Sequence, residues 1–364
     1  MRVLRVYHSA VVSEWRQRDR ELRATGVDVT LVSAARWNEG GKVVACEPGA
    51  DAFVRPARTW GTHPYLFVYD PRVLWKALDG DFDVVDVHEE PASLAALEVR
   101  ILMALRNRTR RAKLLLYCAQ NIEKRYPIPF RWFERSALRH AAGVYCCNDE
   151  AGRILRRKNF RGALTTLGLG VNVERFSPAS GKSGDDALTI GYVGRLEEHK
   201  GVHVLIEALA KVPDAELRIV GDGPYRVELQ QAATRYGVAE RVHFGGYAGQ
   251  DALPELYRSF DVLVVPSIPT AGWIEQFGRV AVEAMASGVP VVASASGSLP
   301  EVVGDGGVLV EPNDAVALAD ALDDLINDGA RRRALSEAAH RRAQRYSWRS
   351  IADGHRAFYE RVTQ

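Results

Sequence analysis

Short apolar segments of the kind that form buried parallel strands recur along this chain in two series, separated by helical or loop stretches. The first series covers residues 3–7, 27–32, 84–87, 114–118 and 144–147. The second covers residues 188–193, 217–220, 242–244, 262–265, 289–293 and 308–310. Regular alternation of strand and helix favours a parallel sheet covered by helices, so we expect two Rossmann-like, doubly wound α/β domains.

A polar, Gly- and Ser-rich segment at residues 177–186 separates the two series and is typical of a linker. We therefore place an N-terminal domain at residues 1–176 and a C-terminal domain at residues 187–346. Residues 347–364 have a helical period, and we expect this helix to cross back to the first domain. The length of 364 residues agrees with two cores of ordinary size.

Composition favours a globular protein with 47% hydrophobic and 26% charged residues. The sequence has no apolar run long enough to span a membrane, and the first residues become charged too early for a signal peptide. We therefore expect cytoplasmic residence, with the inner face of the membrane as an open alternative. The four cysteines show no Cys-x-x-Cys spacing, and we interpret them as reduced residues of the core, with neither a metal site nor a cofactor.

The charge is divided unevenly along the chain. Residues 1–180 contain 29 Lys and Arg against 20 Asp and Glu, whereas the remainder contains 19 against 26. A basic first half is consistent with an anionic partner, such as a phosphorylated acceptor or a membrane surface, and equally with a solvated arginine-rich face. Solvation alone accounts for the cluster of Arg106, Arg108, Arg110, Arg111 and Lys113.

The stretch 131–139 alternates arginines with aromatic residues on a helical period. Such a helix could contact a membrane surface. We favour instead an ordinary amphipathic helix in which Trp132, Phe133 and Leu138 face the core. Nucleic acid is a disfavoured partner, because aromatic residues do not interleave with the basic residues in the pattern of a binding module.

Two carboxylates lie on either side of a glycine turn in the second half of the chain. Glu275 precedes Gly278, and Glu283 falls about one turn inside the helix that should begin there. The backbone N–H groups from Phe277 to Val280 would be free at the start of this helix, where partial positive charge favours an anionic diphosphate.

A second candidate site follows the first strand of the second series. Gly194 lets the backbone approach a ligand, and the next residues present two cations, Arg195 and Lys200. Because ligands bind at the carboxyl ends of strands in such sheets, the pair could neutralise both phosphates of a leaving nucleoside diphosphate. Pairing of Arg195 with Glu197 or Glu198 is the alternative.

Five sequence strings, taken together, resemble the family 4 retaining glycosyltransferases, also called group 1. They are Gly-Arg-Leu-x-x-x-Lys-Gly at 194–201, Val-Gly-Asp-Gly-Pro at 220–224, Pro-Ser at 266–267, Glu-x7-Glu at 275–283 and Gly-Ser-Leu-Pro-Glu at 297–301. The resemblance covers essentially the whole chain. It implies the GT-B fold, in which two Rossmann-like, doubly wound domains face each other across a cleft, with a C-terminal domain that binds the nucleotide sugar and an N-terminal domain that binds the acceptor.

The resemblance also implies roles for particular residues. Arg195 and Lys200 would hold the donor diphosphate, Glu283 would accept hydrogen bonds from the ribose, and Glu275 would contact the transferred sugar. The donor-binding candidates are completed by Gly194, Gly246, Tyr247, Phe277, Gly278 and Arg279. No metal is implied, since fixed cations would stabilise the departing phosphate.

The first domain resembles the family less closely, and its candidates concern the acceptor. His88 lies in a His-Glu-Glu-Pro turn similar to that of some phosphatidylinositol mannosyltransferase-like members, and we take it as catalytic together with Arg195, Lys200 and Glu275. The acceptor candidates are His8, Arg16, Gln120, Asn121 and Trp273.

We therefore expect a retaining transferase that moves a hexose from a nucleoside diphosphate sugar to a hydroxyl-bearing acceptor, which could be anionic. Arginine outnumbers lysine 40 to 8, which favours bacterial envelope, polysaccharide or specialised-metabolite synthesis. A sugar-nucleotide epimerase on the same scaffold and a non-catalytic sugar-nucleotide-binding protein stay open as alternatives. A nicotinamide-dependent oxidoreductase is excluded, because Gly221-Asp222-Gly223 lacks the third glycine of the dinucleotide motif.

Overall fold

The computed structural model describes residues 1–39, 41–106, 111–178 and 188–364. They divide into two units, of which unit 1 contains Met1–Gly168 and Trp348–Gln364, and unit 2 contains Leu169–Ser347. The division falls a few residues earlier than the boundary that we placed after residue 176, because Val171 donates its N–H to the carbonyl of Tyr346 in unit 2. Residues 179–186 of the expected linker lie outside the described residues, as do Arg108 and Arg110 of the basic cluster.

Unit 1 is built on a parallel sheet, whose described strands run in the order β11-β10-β9-β8-β1-β2-β5. Two small antiparallel ladders, β3 with β4 and β6 with β7, accompany it. The strands are β1 Arg2–Val6, β2 Asp28–Ala34, β3 Arg36–Glu39, β4 Lys42–Ala45, β5 Val54–Ala57, β6 Thr59–Trp60, β7 Val68–Tyr69, β8 Val84–Val87, β9 Lys113–Cys118, β10 Gly143–Cys146 and β11 Ala163–Thr166.

The crossover helices of unit 1 begin where the sequence supplies caps. The side chains of Asp70, Ser93 and Asn148 accept hydrogen bonds from the first turns of α2, α3 and α5. The helices are α1 Gln17–Ala24, α2 Pro71–Ala77, α3 Leu94–Leu105, α4 Phe130–His140 and α5 Asp149–Arg157. They cover both faces of the sheet, so β8 and β10 are buried along their whole length.

Unit 2 repeats the architecture with a parallel sheet of described strands in the order β14-β13-β12-β15-β16-β17. Its strands are β12 Leu188–Val193, β13 Ala215–Val220, β14 Val242–Gly246, β15 Val262–Val265, β16 Val291–Ser294 and β17 Gly307–Val310. Its helices are α6 Val202–Leu209, α7 Arg226–Arg235, α8 Leu253–Ser259, α9 Arg279–Ala286, α10 Leu299–Val303, α11 Ala315–Asn327 and α12 Gly329–Ala343. The two predicted doubly wound α/β domains are thereby confirmed.

Each sheet reverses its winding direction at one point. In unit 1 the reversal lies between β1 and β8, and in unit 2 it lies between β12 and β15. Because loops diverge there, the crevice at the carboxyl ends of these strands is where such sheets bind ligands. The loops after β1, β8, β12 and β15 are therefore the ones that matter for function.

The final helix, α13 Trp348–Thr363, belongs to unit 1, where it packs against α1. Its Phe358 and Tyr359 lie in the core beside Val3 and Tyr145. The hydroxyls of Tyr359 and Tyr145 donate to the buried carboxylate of Asp86, at 2.6 and 2.7 Å, and Arg18 forms an ion pair with the same group at 2.9 Å. A buried charge needs such partners, so α13 completes the polar interior of unit 1.

The packing of α4 differs from the expectation at one residue. The prediction that Trp132 faces the core is wrong, because its side chain is 56% exposed, whereas Leu138 is buried and Phe133 half-buried. The buried stripe of α4 consists of Glu134, Ala137 and Leu138, which places Trp132 on the opposite side.

The four cysteines are free, and all but Cys46 are buried. Among the described residues, no helix is long and apolar enough to cross a bilayer.

Candidate active site

The loops after β12 and β15 meet in unit 2 through one ion pair. Lys200, from the first loop, places its Nζ 2.9 Å from Oε2 of Glu275, from the second. The Oγ of Ser267, just after β15, donates to the same oxygen at 3.3 Å. Both partners of the pair are only partly exposed, so a cation and a carboxylate are held together beside the point where the sheet reverses.

The backbone of Glu275 is fixed from below by the turn after β16. Ser298 donates both its backbone N–H, at 3.1 Å, and its hydroxyl, at 3.2 Å, to the carbonyl oxygen of Glu275. Gly297 has a φ of +59°, and a Cβ at this position would collide with that carbonyl oxygen. The close approach therefore requires glycine, and it positions Glu275 towards Lys200.

Helix α9 begins directly after this loop with an N-cap that has no side chain. Gly278 adopts the left-handed conformation with φ +81°, and a Cβ there would clash with Leu299. Phe277 is buried against the ring of Tyr346, so its side chain anchors the turn in the core. The start of α9 accordingly presents backbone N–H groups and the positive end of the helix dipole, a suitable environment for an anion.

Glu283 lies one turn inside α9 and is buried. Its carboxylate accepts hydrogen bonds from the hydroxyl of Tyr257 at 2.8 Å and from Nε of Arg279 at 2.7 Å. Burial, followed by the charge of Glu283, raises the pKa of Tyr257 well above its ordinary value, so the hydroxyl stays protonated as a donor. A carboxylate has about four acceptor directions, and Tyr257 and Arg279 occupy two of those of Glu283. That a ribose hydroxyl donates to Glu283 as well stays a prediction.

Arg195 and Trp273 flank the central ion pair. Arg195 extends into solvent and pairs with Glu197 at 2.6 Å, as the alternative interpretation anticipated. The ring of Trp273 contacts that of His199 with centroids 4.1 Å apart and planes tilted by 47°, and the Nζ of Lys200 lies 4.4 Å from the centre of the indole. A cation over an indole face is attracted by the ring's quadrupole, which helps to hold Lys200 in place.

The remaining donor candidates lie at the same edge of the sheet. Gly194 directly follows β12 and donates its N–H to the carbonyl of Val220 at 3.0 Å. Gly246 ends β14, and its carbonyl accepts from Gly221 at 2.7 Å. Tyr247, the next residue, is 71% exposed.

In unit 1, His8 follows β1 and contacts a buried carboxylate. Its Nδ1 lies 2.6 Å from Oε2 of Glu89, which also accepts from the backbone N–H of His8 and from the hydroxyl of Tyr69. Burial disfavours the imidazolium, but the charge and hydrogen bond of Glu89 outweigh it and raise the pKa of His8. The site therefore favours a positive charge at the carboxyl end of β1.

His88, after β8, has the opposite character. Its ring stacks on Tyr117 with centroids 3.9 Å apart, and its Nδ1 lies 2.8 Å from the hydroxyl of Tyr145. Burial, and then the charge of Arg5, lowers the pKa of His88 well below its ordinary value. His88 is therefore neutral, and because the Tyr145 hydroxyl donates its proton to Asp86, Nδ1–H of His88 donates to that hydroxyl oxygen and fixes the ring.

The other acceptor candidates in unit 1 differ in burial and in the hydrogen bonds that hold them. Arg16 is buried, and its guanidinium donates to the carbonyls of Ala10, Val11 and Glu47 and to Asp51, which indicates a structural tie. Gln120 follows β9 and accepts from the N–H of Ile122 at 3.2 Å, whereas Asn121 is 7% exposed.

Several partners in these sites were not anticipated from the sequence. Ser267, Tyr257 and Glu89 contact the candidate residues Glu275, Glu283 and His8, respectively, and Tyr69 donates to Glu89. Ser267 and Glu89 lie inside strings that carry the family resemblance, so their neighbourhood was visible, but their contacts depend on which strands are adjacent. Tyr257, on α8, left no such signal.

Comparison with known proteins agrees with this architecture. The family model described as Glycosyltransferase Family 4 matches residues 19–175, and the model described as Glycosyl transferases group 1 matches residues 173–342. A D-inositol 3-phosphate glycosyltransferase of Corynebacterium urealyticum is 35% identical over 206 residues, which cover 50% of this chain and 47% of that protein. The chain spans about half the length of the curated relatives that it matches.

Solved structures with low identity match the fold along the whole chain. Sucrose-phosphate synthase from Thermosynechococcus elongatus has a TM-score of 0.71 at 22% identity and covers 100% of this chain and 99% of its own. The Anabaena protein HepE, solved in complex with UDP, has a TM-score of 0.71 at 20% identity, with coverages of 99% and 100%. The GT-B fold is thereby confirmed, and the chain belongs to family 4 of the glycosyltransferases, group 1.

Proposed function

We propose that this protein transfers a hexose from a nucleoside diphosphate sugar to a hydroxyl group of an acceptor, with retention of the anomeric configuration. The observation that carries the proposal is the ion pair between Lys200 and Glu275, held where the unit 2 sheet reverses and next to the start of α9. This arrangement offers a cation and helix N–H groups to a diphosphate, and a carboxylate to sugar hydroxyls.

The proposed chemistry needs positive charge at the leaving group. Cleavage of the bond between the anomeric carbon and the phosphate oxygen builds positive charge on the sugar and negative charge on the leaving diphosphate. Lys200, Arg195 and the start of α9 would stabilise the negative charge that develops on the leaving diphosphate. Because this stabilisation is greater in the transition state than in the ground state, it lowers the barrier. We infer on the same ground that the reaction proceeds without a metal ion.

Glu275 acts in this proposal as a positioning residue. Retaining hydrolases place two carboxylates about 5 Å apart around the bond that breaks. Here the carboxylate of Glu275 is engaged by Lys200 and Ser267, which suits an acceptor of sugar hydroxyls better than a nucleophile. In the proposed step the acceptor oxygen bonds to the anomeric carbon on the face that the diphosphate leaves, and the acceptor's proton passes to the leaving phosphate oxygen.

We assign the acceptor to unit 1, where His8 and His88 follow β1 and β8. The raised pKa of His8 favours an imidazolium whose charge Glu89 balances, and its second ring N–H would donate to a group of the acceptor. Relatives named D-inositol 3-phosphate glycosyltransferase make a phosphorylated cyclitol the first acceptor to test, and the HepE complex makes UDP the first nucleotide. A bacterial biosynthetic pathway is the setting that we propose for it.

The experiment is a turnover assay with UDP-, GDP-, ADP- and TDP-sugars, run with D-inositol 3-phosphate and with unphosphorylated inositol, in the presence and absence of EDTA. We expect one donor to give a glycosylated product, whose anomeric proton coupling in NMR matches the donor configuration, and we expect EDTA to leave the rate unchanged. An inverted product would refute retention, and loss of activity with EDTA would refute metal independence. Conversion of the donor to its epimer would favour an epimerase, and binding without turnover would favour a sugar-nucleotide-binding protein.

A further inference from the structure

A basic pocket of about 770 Å³ lies in unit 1, and none of the candidate site residues is among those that line it. Its walls are the segment after β9, the face of α4 and the turn after α5. Seven Lys and Arg side chains line it against two carboxylates, those of Glu123 and Glu134. We call this feature the α4 pocket.

Both carboxylates of the α4 pocket are already neutralised. Glu134 forms an ion pair with Lys158 at 2.6 Å, and Glu123 forms one with Arg157 at 2.9 Å. Within the described part of the chain, the other lining cations form no ion pair: Lys124, Arg125, Arg131, Arg135, Arg139 and Arg161. Six uncompensated charges of one sign raise the local potential and favour binding of an anion.

Arg131 shows that this charge is partly withdrawn from solvent. Its Nε is buried, and among the residues that the structure describes it has no hydrogen-bond partner. A buried donor without a partner is costly, so an anionic ligand that accepts from it would be favoured. This observation is independent of the count of charges.

Exposed apolar side chains flank the same pocket. Ile128, in the segment before α4, is 52% exposed, and Trp132, on the first turn of α4, is 56% exposed. Trp132, Arg135 and Arg139 are spaced i, i+3 and i+7, so they share the solvent face of the helix. Tryptophan prefers the headgroup level of a bilayer, and basic residues near it are attracted by anionic lipids.

We propose that the α4 pocket binds the headgroups of anionic phospholipids and docks unit 1 on a membrane surface, with Ile128 and Trp132 entering the interface. The charge favours a phosphate ligand, and the exposed indole beside it favours a lipid over a free anion. α4 lies flat on the surface in this arrangement, because Ala137 and Leu138 stay in the core of unit 1. The proposal adds membrane association to the proposed transferase and does not depend on its donor or acceptor.

The test is co-sedimentation of the full chain with phosphatidylcholine vesicles, with and without about one third phosphatidylglycerol. We expect binding only to the anionic vesicles, weakened by salt because the attraction is screened. Arg135→Glu combined with Arg139→Glu should weaken it about tenfold or more. The matched control is Arg333→Glu combined with Arg345→Glu, which makes the same change of charge at exposed positions of unit 2 and should bind like the wild type.

The apolar part of the proposal has its own pair of variants. Trp132→Ala should weaken vesicle binding several-fold, whereas Trp60→Ala, at another exposed indole of unit 1, should not. Circular dichroism and thermal unfolding verify that each variant is folded. Equal binding to neutral and anionic vesicles, no binding to either, or equal effects of test and control variants would overturn the proposal. A separate titration uses inorganic pyrophosphate as a free anion. The proposal would also be overturned if pyrophosphate bound to the wild type and not to the Arg135→Glu/Arg139→Glu variant, while vesicles bound to neither.

Discussion

His8 and Glu89 show how one residue pair in the proposed acceptor region favours a protonated histidine. The imidazole is mostly buried, which alone would lower its pKa, yet the carboxylate 2.6 Å away raises it. A group whose pKa is raised by folding contributes stability that is fully present below its ordinary pKa and is lost as pH rises through the raised value. The pair therefore stabilises unit 1 at acidic pH, and this contribution is lost as pH rises through the raised pKa of His8.

Glu89→Gln tests this pair, because glutamine keeps an acceptor oxygen and removes the charge. We expect the pKa of His8 to fall, which can be followed by NMR titration of its ring protons. The variant should lose about 1 kcal/mol of unfolding free energy at pH 5.5, and the difference should shrink as pH rises past the wild-type pKa of His8. A His8 titration that does not change in Glu89→Gln would refute the assignment.

At the scale of elements, the turn after β16 supports the loop that carries Glu275. Gly297→Ala would place a Cβ against the Glu275 carbonyl and so displace the carboxylate from Lys200. The matched control is Gly237→Ala, because Gly237 has a φ of +69° in unit 2 and open space around its Cβ position. Both variants should lose about 1 kcal/mol of stability from the left-handed backbone.

Only Gly297→Ala should also weaken the binding of UDP, by about tenfold, because displacement of the loop disrupts the geometry of the ion pair between Lys200 and Glu275. Calorimetric titration with UDP measures this change. Equal affinities in the two variants would show that the turn does not position the site.

The elements that could be read from the sequence are the buried ones. The central strands of both sheets were predicted within a few residues, because a strand covered on both faces is a continuous apolar run. Within the parallel sheet of unit 1, sequence analysis missed the two edge strands, β5 with Arg55 and Pro56 and β11 with two threonines. It also missed the strands of the two small antiparallel ladders. Edge strands tolerate polar residues and proline, which removes the signal.

For the whole molecule, α13 shows that the last residues of the chain complete the interior of unit 1. Tyr359→Phe removes one hydrogen bond to the buried charge of Asp86, which keeps its contacts with Arg18 and Tyr145. We expect a loss of about 2 kcal/mol of unfolding free energy, measured by urea denaturation. Tyr236→Phe, which removes an exposed hydrogen bond to Glu207, is the control and should change stability by less than about 0.5 kcal/mol. Similar losses in both would contradict the structural role given to α13.

The candidate site was predictable in outline and not in its pairings. The strings around Arg195, Lys200, Glu275 and Gly278 could be recognised because each marks the carboxyl end of a strand or the start of a helix. That Lys200 pairs with Glu275 follows from which loops the topology brings together across 75 residues of chain, and sequence spacing does not contain that information. By contrast, the pairing of Arg195 with the nearby Glu197 is local, and the sequence already offered it as an alternative. The prediction for Trp132 was wrong for a related reason. A helical period shows which residues share a face of the helix, but it does not show which face packs against the core.

The central claim is that a diphosphate binds to the cations of unit 2 beside the start of α9. The most direct test is calorimetric titration of UDP into the wild type and into the Arg195→Ala/Lys200→Ala variant, both verified as folded. Each lost charge-assisted contact should cost about 1.5 kcal/mol or more, so the account predicts affinity about a hundredfold weaker in the variant. Unchanged UDP affinity in that variant would contradict it.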